Sequence, residues 1–289
     1  MERVSICIPT FNRRVLLERA VESAISQSYR HLEIIISDNN SEDETMNYCL
    51  NLTKLDCRVK FFKQERNIGP SGNVKFLLDK ASGDYIFVLA DDDYLAPDAI
   101  EKMVAVLNSQ ERVIHVTCCA TEIGPGASQL FCHYFQGKLG SVGQLRMDVV
   151  NNFFINNALG VLVYGLTRAR VAKLLPSVEL FKLDLSKTVS GCELLHLRFL
   201  MLHGDIVVLP RSFLYYMGPG ERAGRGSLAA ELSRSISKVD GFFLLAQKMV
   251  ILLYLNFKQL GLSKDSFISG KLITTSFFCY VTRRLLRTV

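Results

Sequence analysis

The chain has 289 residues, 49% of them hydrophobic and 21% charged, with a net charge of +6. That composition excludes a disordered or collagen-like chain and leaves enough length to bury one large core, alone or with a substantial appendage. Residues 211–289 hold 12 Lys and Arg against 4 Asp and Glu, so the basic excess sits in the tail while the remainder is slightly acidic. A tail of this kind predicts an anionic partner, either a membrane surface or a phosphate-rich ligand. Eight cysteines without CxxC pairs or zinc spacing predict thiols in a reducing compartment.

In chain order, Val4–Pro9 reads as a buried strand, and Leu17, Ala20, Val21, Ala24 and Ile25 then recur at helical spacing. "LEIIIS" (32–37) is a second strand, and Ser41 with Glu44 makes a capping-box pattern that predicts a helix start there. "VKFFK" (59–63), a helix near Asn73–Lys80 and the strand "YIFVL" (85–89) repeat the unit. Pro97 suits the first turn of a further helix reaching about Asn108, and "VIHVTCCA" (113–120) is another strand. Beyond it, "LGVLVYGLT" reads as a strand and "RARVAKLLP" as a short helix. "CELLHLRFLMLHGDIVVLP" reads as a helix, a glycine stop and a closing strand. The expected organisation is a body over 1–215, in two parts over 1–120 and 121–215, followed by an apolar, basic helical extension over 216–289.

Strand–helix alternation predicts an α/β fold, a mainly parallel sheet flanked by helices. Ligands of such sheets bind beyond the carboxyl ends of the strands. Three polar clusters fall there: "PTFN" after the first strand, "SDNNS" after the second and "ADDD" after the fourth. Asp91, Asp92 and Asp93 are consecutive like charges that raise one another's pKa unless a cation sits among them. They serve either an Asp-rich turn ahead of the Pro97 helix or an oxygen-liking cation such as Mg²⁺ or Mn²⁺.

With these clusters placed, the sequence resembles a family-2 glycosyltransferase of the GT-A fold, of the bacterial O-antigen or capsule type. The resemblance rests on "VSICIPTFNR", "QSYRHLEIIISDNNSEDET", "NIGPSGN", "ASGDYIFVLADDDYLAPDAI" and "CELLHLRFLMLHGDIVVLP", five motifs in order over about residues 3–210. It implies a nucleoside-diphosphate sugar as donor and a Mn²⁺ or Mg²⁺ cofactor at the D-x-D of Asp91 and Asp93, with Asp92 near the ribose or a water. It places Pro9, Thr10 and Phe11 along the nucleoside and Asp38 and Asn39 at the base edge. Asn at position 39 accepts or donates, leaving uracil, thymine and cytosine open. Gly72 stands where relatives often carry a diphosphate-binding Arg, so Lys75, or Arg222 and Arg225 as a lid, are the substitutes. Glu193 falls at the family's catalytic base, with Asp184 in reserve, and would accept the acceptor's proton during an inverting displacement. His196, one turn beyond Glu193, is read as structural.

Other classes fit less well. A sugar nucleotidyltransferase wants a glycine-rich loop after the first strand, and "PTFNRR" has no glycine. A non-catalytic saccharide- or nucleotide-binding relative would have lost the D-x-D or the base. NAD binding lacks its GxGxxG. No nucleic-acid partner is expected. The chain opens on a strand with too short an apolar run for a signal peptide, so a cytoplasmic protein is expected. The segments 241–262 and 267–289 are apolar but interrupted by Lys248 and Lys271. They predict helices lying on the inner face of the cell membrane beside a lipid-linked saccharide acceptor, with a homo-oligomer contact as the competing use.

Overall fold

The first, second and fourth strands are apolar almost without alternation because both of their faces are covered, whereas the third, at the sheet edge, exposes Lys60 and Lys63. In the computed structural model, β1 (Val4–Thr10), β2 (Leu32–Asp38), β3 (Val59–Lys63) and β4 (Tyr85–Val88) pair in parallel in the order β3-β2-β1-β4. The structure describes residues 1–123, 143–144, 163–175, 196, 199–200 and 203–217. These lie in one compact unit, Met1–Val150 with Asn157–Gly218; a second unit, Asn151–Asn156 with Pro219–Val289, is outside the described residues, and so are the helices expected of the tail.

Helices α1 (Arg14–Ile25), α2 (Thr45–Leu55) and α3 (Gly69–Lys80) connect these strands. On α1 the buried residues are Leu17, Ala20, Val21 and Ala24, a stripe at helical spacing turned to the sheet. Helix α3 lays Leu77 and Leu78 on Cys7, Ile35 and Ile86, joined by Ala81 and Ala172. Pro70 sits in the first turn of α3, where an N–H has no partner to lose. Helix α4 (Ala99–Ser109) buries Ala99, Ile100, Met103, Val104 and Leu107.

The other half of the sheet is mixed. After β5 (Tyr94–Leu95) come β6 (Val113–Ile123), β7 (Gly143–Gln144), β8 (Gly165–Arg168) and β9 (Asp205–Met217), with the short helix α5 (Ala169–Ala172) following β8. The order continues β4-β8-β6-β9-β5, with β7 on β9. Strand β8 runs antiparallel between β4 and β6, whereas β6 and β9 are parallel. Parallel pairing thus holds for the first four strands and for β6–β9, and β8 interrupts it. Gly165 is where β8 passes His115: a Cβ there would lie 2.6 Å from the imidazole and 2.5 Å from Val116 O.

Three local expectations are corrected. The capping box at Ser41 and Glu44 does not form; α2 starts at Thr45 with no side-chain cap, because Ser41 is bonded to Asp38 and Asn12 instead. Pro97 lies ahead of α4, whose flanking residue is Asp98. Of "LGVLVYGLT", the described strand is only its end, from Gly165. The five described cysteines are free thiols; Cys7, Cys49, Cys118 and Cys119 are buried, as expected of thiols in such a chain, whereas Cys57 is exposed.

The amino rim of the sheet explains "ASGDY". Glu33 is fully buried there and accepts from Ser5 Oγ (2.6 Å), Lys60 Nζ (2.7 Å), Ser82 N (2.8 Å) and Ser82 Oγ (2.8 Å). Gly83 must be glycine: a Cβ would meet Arg3 O at 2.7 Å and Ser5 N at 2.8 Å. Burial works against the Glu33 charge, but the bonds from Lys60, Ser5 and Ser82 outweigh it and draw its pKa down to about 2.

Candidate active site

At the opposite rim the ends of β1, β2 and β4 lie side by side, since β1 pairs with both others. The loops after β1 and β2 are sewn together. Asn39 N donates to Thr10 O (2.9 Å), Asn12 N to Ser41 Oγ (2.8 Å), Glu42 N to Asn12 Oδ1 (2.8 Å) and Arg14 N to Asp43 Oδ2 (3.0 Å). Asn12 (φ 52°) and Asn40 (φ 69°) both take left-handed backbone, which costs about 1 kcal/mol or more each for a non-glycine residue. Such strain clusters where a loop must hold a set shape for a ligand.

The acid triplet lies beside this stitched pair. Thr10 Oγ1 donates to Asp91 Oδ2 (2.9 Å), and Arg13 Nη1 reaches both Asp91 Oδ1 (2.9 Å) and Asp92 Oδ2 (3.1 Å). Burial pushes the Asp91 carboxyl up from its ordinary range even against Arg13 and the Thr10 hydroxyl. Burial likewise opposes the Arg13 charge, but Asp91 and Asp92 overcome it and raise its pKa. All three carboxylates are buried, Asp93 at 1% exposure. Among the described residues no three His, Cys, Asp or Glu side chains form a metal cage.

Asp38 uses Oδ1 to accept from Ser41 N (2.9 Å) and the Ser41 hydroxyl. Its Oδ2 is buried without a hydrogen-bond partner, as is Thr45 Oγ1 at the start of α2. Asn39 is committed: Ile68 N donates to its Oδ1 (2.8 Å), and its Nδ2 donates to Asn67 Oδ1 (2.9 Å). Pro9 and Thr10 end β1, and Phe11 stands 41% exposed beyond them.

The structure therefore brings Thr10, Asp91 and Asp92 into contact and sets Asp38 and Asn39 on the neighbouring strand. Lys75 is engaged elsewhere, donating to Asp79 (3.1 Å) one turn on along α3. At Gly72 a Cβ would lie 3.3 Å from the Ile68 side chain, so Ile68 fills the space a longer residue would need. Glu193, Asp184, Arg222 and Arg225 lie outside the described residues. Burial lowers the His196 pKa to about 4, which keeps its ring neutral at pH 7.

Sequence reasoning passed over Arg13 and Arg19. Arg19 Nη2 donates to Asp92 O (3.0 Å), and its guanidinium lies 4.8 Å from the Tyr94 ring centroid, with Tyr215 stacked on Tyr94 at 4.7 Å. For Arg13 the available signal was its place just after the first strand, level with the acid triplet; Arg14 beside it pairs with Glu18, and Arg19, further along α1, had no such signal.

Comparison with known proteins decides the family, since the model of Glycosyl transferase family 2 matches residues 5–131. Residues 5–131 are a family-2 glycosyltransferase domain. Across 125 residues the chain is 40% identical to the GalNAc(5)-diNAcBac-PP-undecaprenol beta-1,3-glucosyltransferase of Campylobacter jejuni, covering 43% of this chain and 40% of that one. It is 35% identical over 111 residues to the UDP-Glc:alpha-D-GlcNAc-diphosphoundecaprenol beta-1,3-glucosyltransferase of Escherichia coli, covering 38% of this chain and 43% of that protein. The chain thus spans about two-fifths of the length of these curated relatives. Among solved structures, S. aureus TarS 1–349 in complex with UDP-GlcNAc shares the fold at a TM-score of 0.59 and 17% identity, over 79% of this chain and 61% of TarS 1–349. The GT-A fold expected of the family-2 domain is the fold it has.

Proposed function

We propose that the protein is an inverting, metal-dependent glycosyltransferase that moves a sugar from a UDP-sugar to a saccharide carried on a polyprenyl diphosphate, in bacterial surface-polysaccharide synthesis. The observation that carries this is the convergence of Thr10, Arg13 and the Asp91–Asp93 turn at the end of three parallel strands inside a family-2 domain. The names of the two glucosyltransferase relatives support the lipid-linked acceptor, and one of them supports the UDP-sugar. The buried, unpartnered Asp38 Oδ2 supports the same base, because a carboxyl oxygen in need of a donor suits an imide N–H such as that of uracil. Cytosine offers no such donor at N3.

The oxygen donors at the rim fit Mg²⁺ or Mn²⁺. As the D-x-D, Asp91 and Asp93 would hold the cation, with Thr10 and Arg13 orienting the Asp91 carboxyl and Arg13 also reaching Asp92. When bound, the cation neutralises charge on the departing diphosphate. Glu193 takes the proton of the acceptor hydroxyl as that oxygen bonds to the anomeric carbon and the bond to the diphosphate breaks on the opposite face. Asp184 is the alternative base. Thr10 and Arg13 orient the Asp91 carboxyl and oppose the upward push of burial on its pKa. Arg222 and Arg225 are assigned to the diphosphate, since Lys75 is held by Asp79.

The basic, apolar tail would hold the enzyme on the cytoplasmic face of the membrane, where its acceptor is anchored. Among the described residues no helix is long and apolar enough to cross a membrane. The test is release of nucleoside diphosphate from UDP-, dTDP-, GDP- and CDP-sugars with a polyprenyl-diphosphate-linked saccharide. Turnover with UDP-sugars is expected. Turnover confined to GDP- or CDP-sugars would overturn the reading of the base, and none with any donor would overturn the reading of the reaction.

A further inference from the structure

Helix α1 does more than cover the sheet. Its buried apolar stripe is flanked by Arg19 and Ser23, one turn apart on the helix, and Gln27 follows two residues beyond its last residue, Ile25. Each reaches the main chain of the segment that begins with the acid triplet. Arg19 Nη2 donates to Asp92 O at 3.0 Å, and Ser23 Oγ accepts from Leu95 N at 3.1 Å. Gln27 Nε2 donates to Ala96 O at 2.8 Å, while Gln27 Oε1 accepts from Ile100 N at 3.0 Å. Ser28 N continues the series to Pro97 O at 2.8 Å.

These side chains contact main-chain atoms and no carboxylate, so they fix the path of the chain rather than its charge. Gln27 is fully buried with its oxygen and nitrogen both bonded into this segment, a costly arrangement unless the backbone it holds must stay put. The two-residue strand β5 is too short to impose that path alone. Arg19 is the member nearest the site. It pins the carbonyl of the peptide that joins Asp92 to Asp93, and its guanidinium lies on Tyr94, itself stacked on Tyr215 of β9. The plane of that peptide sets the direction in which the Asp93 side chain leaves the backbone.

We propose that Arg19 and Ser23 of α1, with Gln27 just beyond its end, form a template that shapes the turn from Asp92 to Ile100, and that Arg19 is a positioning residue for Asp93. The positioning role rests on the glycosyltransferase reading given above; the template itself does not. A misplacement of about 1 Å at a reacting centre can cost on the order of 10²-fold in rate, and Arg19 acts on a single peptide of the turn.

The full-length protein carries the test, as wild type and as Arg19→Gln, Arg19→Lys and Ser23→Ala. For Arg19→Gln, kcat with a UDP-sugar should fall roughly 10- to 100-fold while the donor KM and the thermal midpoint change little. Arg19→Lys, which can still donate to Asp92 O, should recover part of the loss. Amide exchange should quicken at Leu95 in Ser23→Ala and across 93–95 in Arg19→Gln. An unchanged kcat in Arg19→Gln, or a loss that merely follows the fraction unfolded, would overturn the positioning role. Unchanged exchange at Leu95 in Ser23→Ala would overturn the template. If the wild type turns over no nucleotide sugar, the functional reading fails, and exchange at Leu95 still decides the template.

Discussion

Both rims of the sheet bury acids beside hydroxyls and cations, yet they do so to opposite ends. At the amino rim Glu33 gathers Ser5, Ser82 and Lys60, and its pKa is drawn down to about 2. At the carboxyl rim Asp91 has Thr10 and Arg13, and burial still lifts it above its ordinary range. Glu33 holds two strands and a turn together and has no charge left to offer. Asp91, Asp92 and Asp93 crowd three acids into one turn, which a fold seeking only stability would avoid. The contrast separates a carboxylate that braces the fold from those proposed to act on a ligand more clearly than burial does, since both rims are buried.

The largest expected effect is at the carboxyl rim. Asp93→Asn should cut turnover by about 10³-fold, the scale of losing a main electrostatic stabiliser, while leaving the thermal midpoint nearly unchanged. Excess EDTA should silence the wild type to a similar degree, and full activity in EDTA would remove the metal from the mechanism.

Glu33→Gln should do the reverse. A folded pKa of about 2 against an unfolded value near 4.3 makes the ionised group stabilising by on the order of 3 kcal/mol. Because the folded pKa is the lower one, this stabilisation is present above about pH 4.3 and disappears as pH falls toward 2. Chemical denaturation from pH 7 to pH 2.5 should show a steep loss in the wild type and a shallower one from a lower start in the variant. Turnover per folded molecule should not move. If it does, the two rims are coupled and the contrast breaks.

Next in size is Glu193→Gln, expected to lower turnover roughly 10²-fold with donor affinity little changed. Normal turnover there together with a dead Asp184→Asn would move the base to Asp184. The smallest effect belongs to Thr10→Val. It removes one bond worth about 1 kcal/mol that favours the ionised Asp91, so Asp91 should climb further. The acid limb of the pH–rate profile should then shift to higher pH, and an unshifted limb would show that Asp91 does not govern it.

Much of this architecture is legible in the sequence for a simple reason. Strands buried on both faces must be nearly continuously apolar, and β1, β2 and β4 are, so their bounds are readable to within a residue or so; the edge strand β3 is read from its Val59, Phe61 and Phe62. The acid triplet is legible because three adjacent carboxylates need a cause. Residues whose partners are remote in sequence are not. Ser41 looks like a helix cap until Asp38 and Asn12 claim it. Arg13 and Arg19 look like solvated charges until the end of β4 is laid against them, 73 to 79 residues away along the chain. Strand β5 is two residues long and has no periodicity to read.

The stitching between the loops after β1 and β2 bears on anyone who would retarget this enzyme to another nucleotide. Residues 10–14 and 38–43 share four cross-loop bonds and two left-handed asparagines that sit on opposite sides of the seam. The loop after β2 has an internal brace from Asp38 to Ser41, but the seam needs both loops. Grafting one of them from another glycosyltransferase would leave Asn12 or Ser41 facing a stranger, so the pair is the exchangeable cassette and recombination should cut outside both.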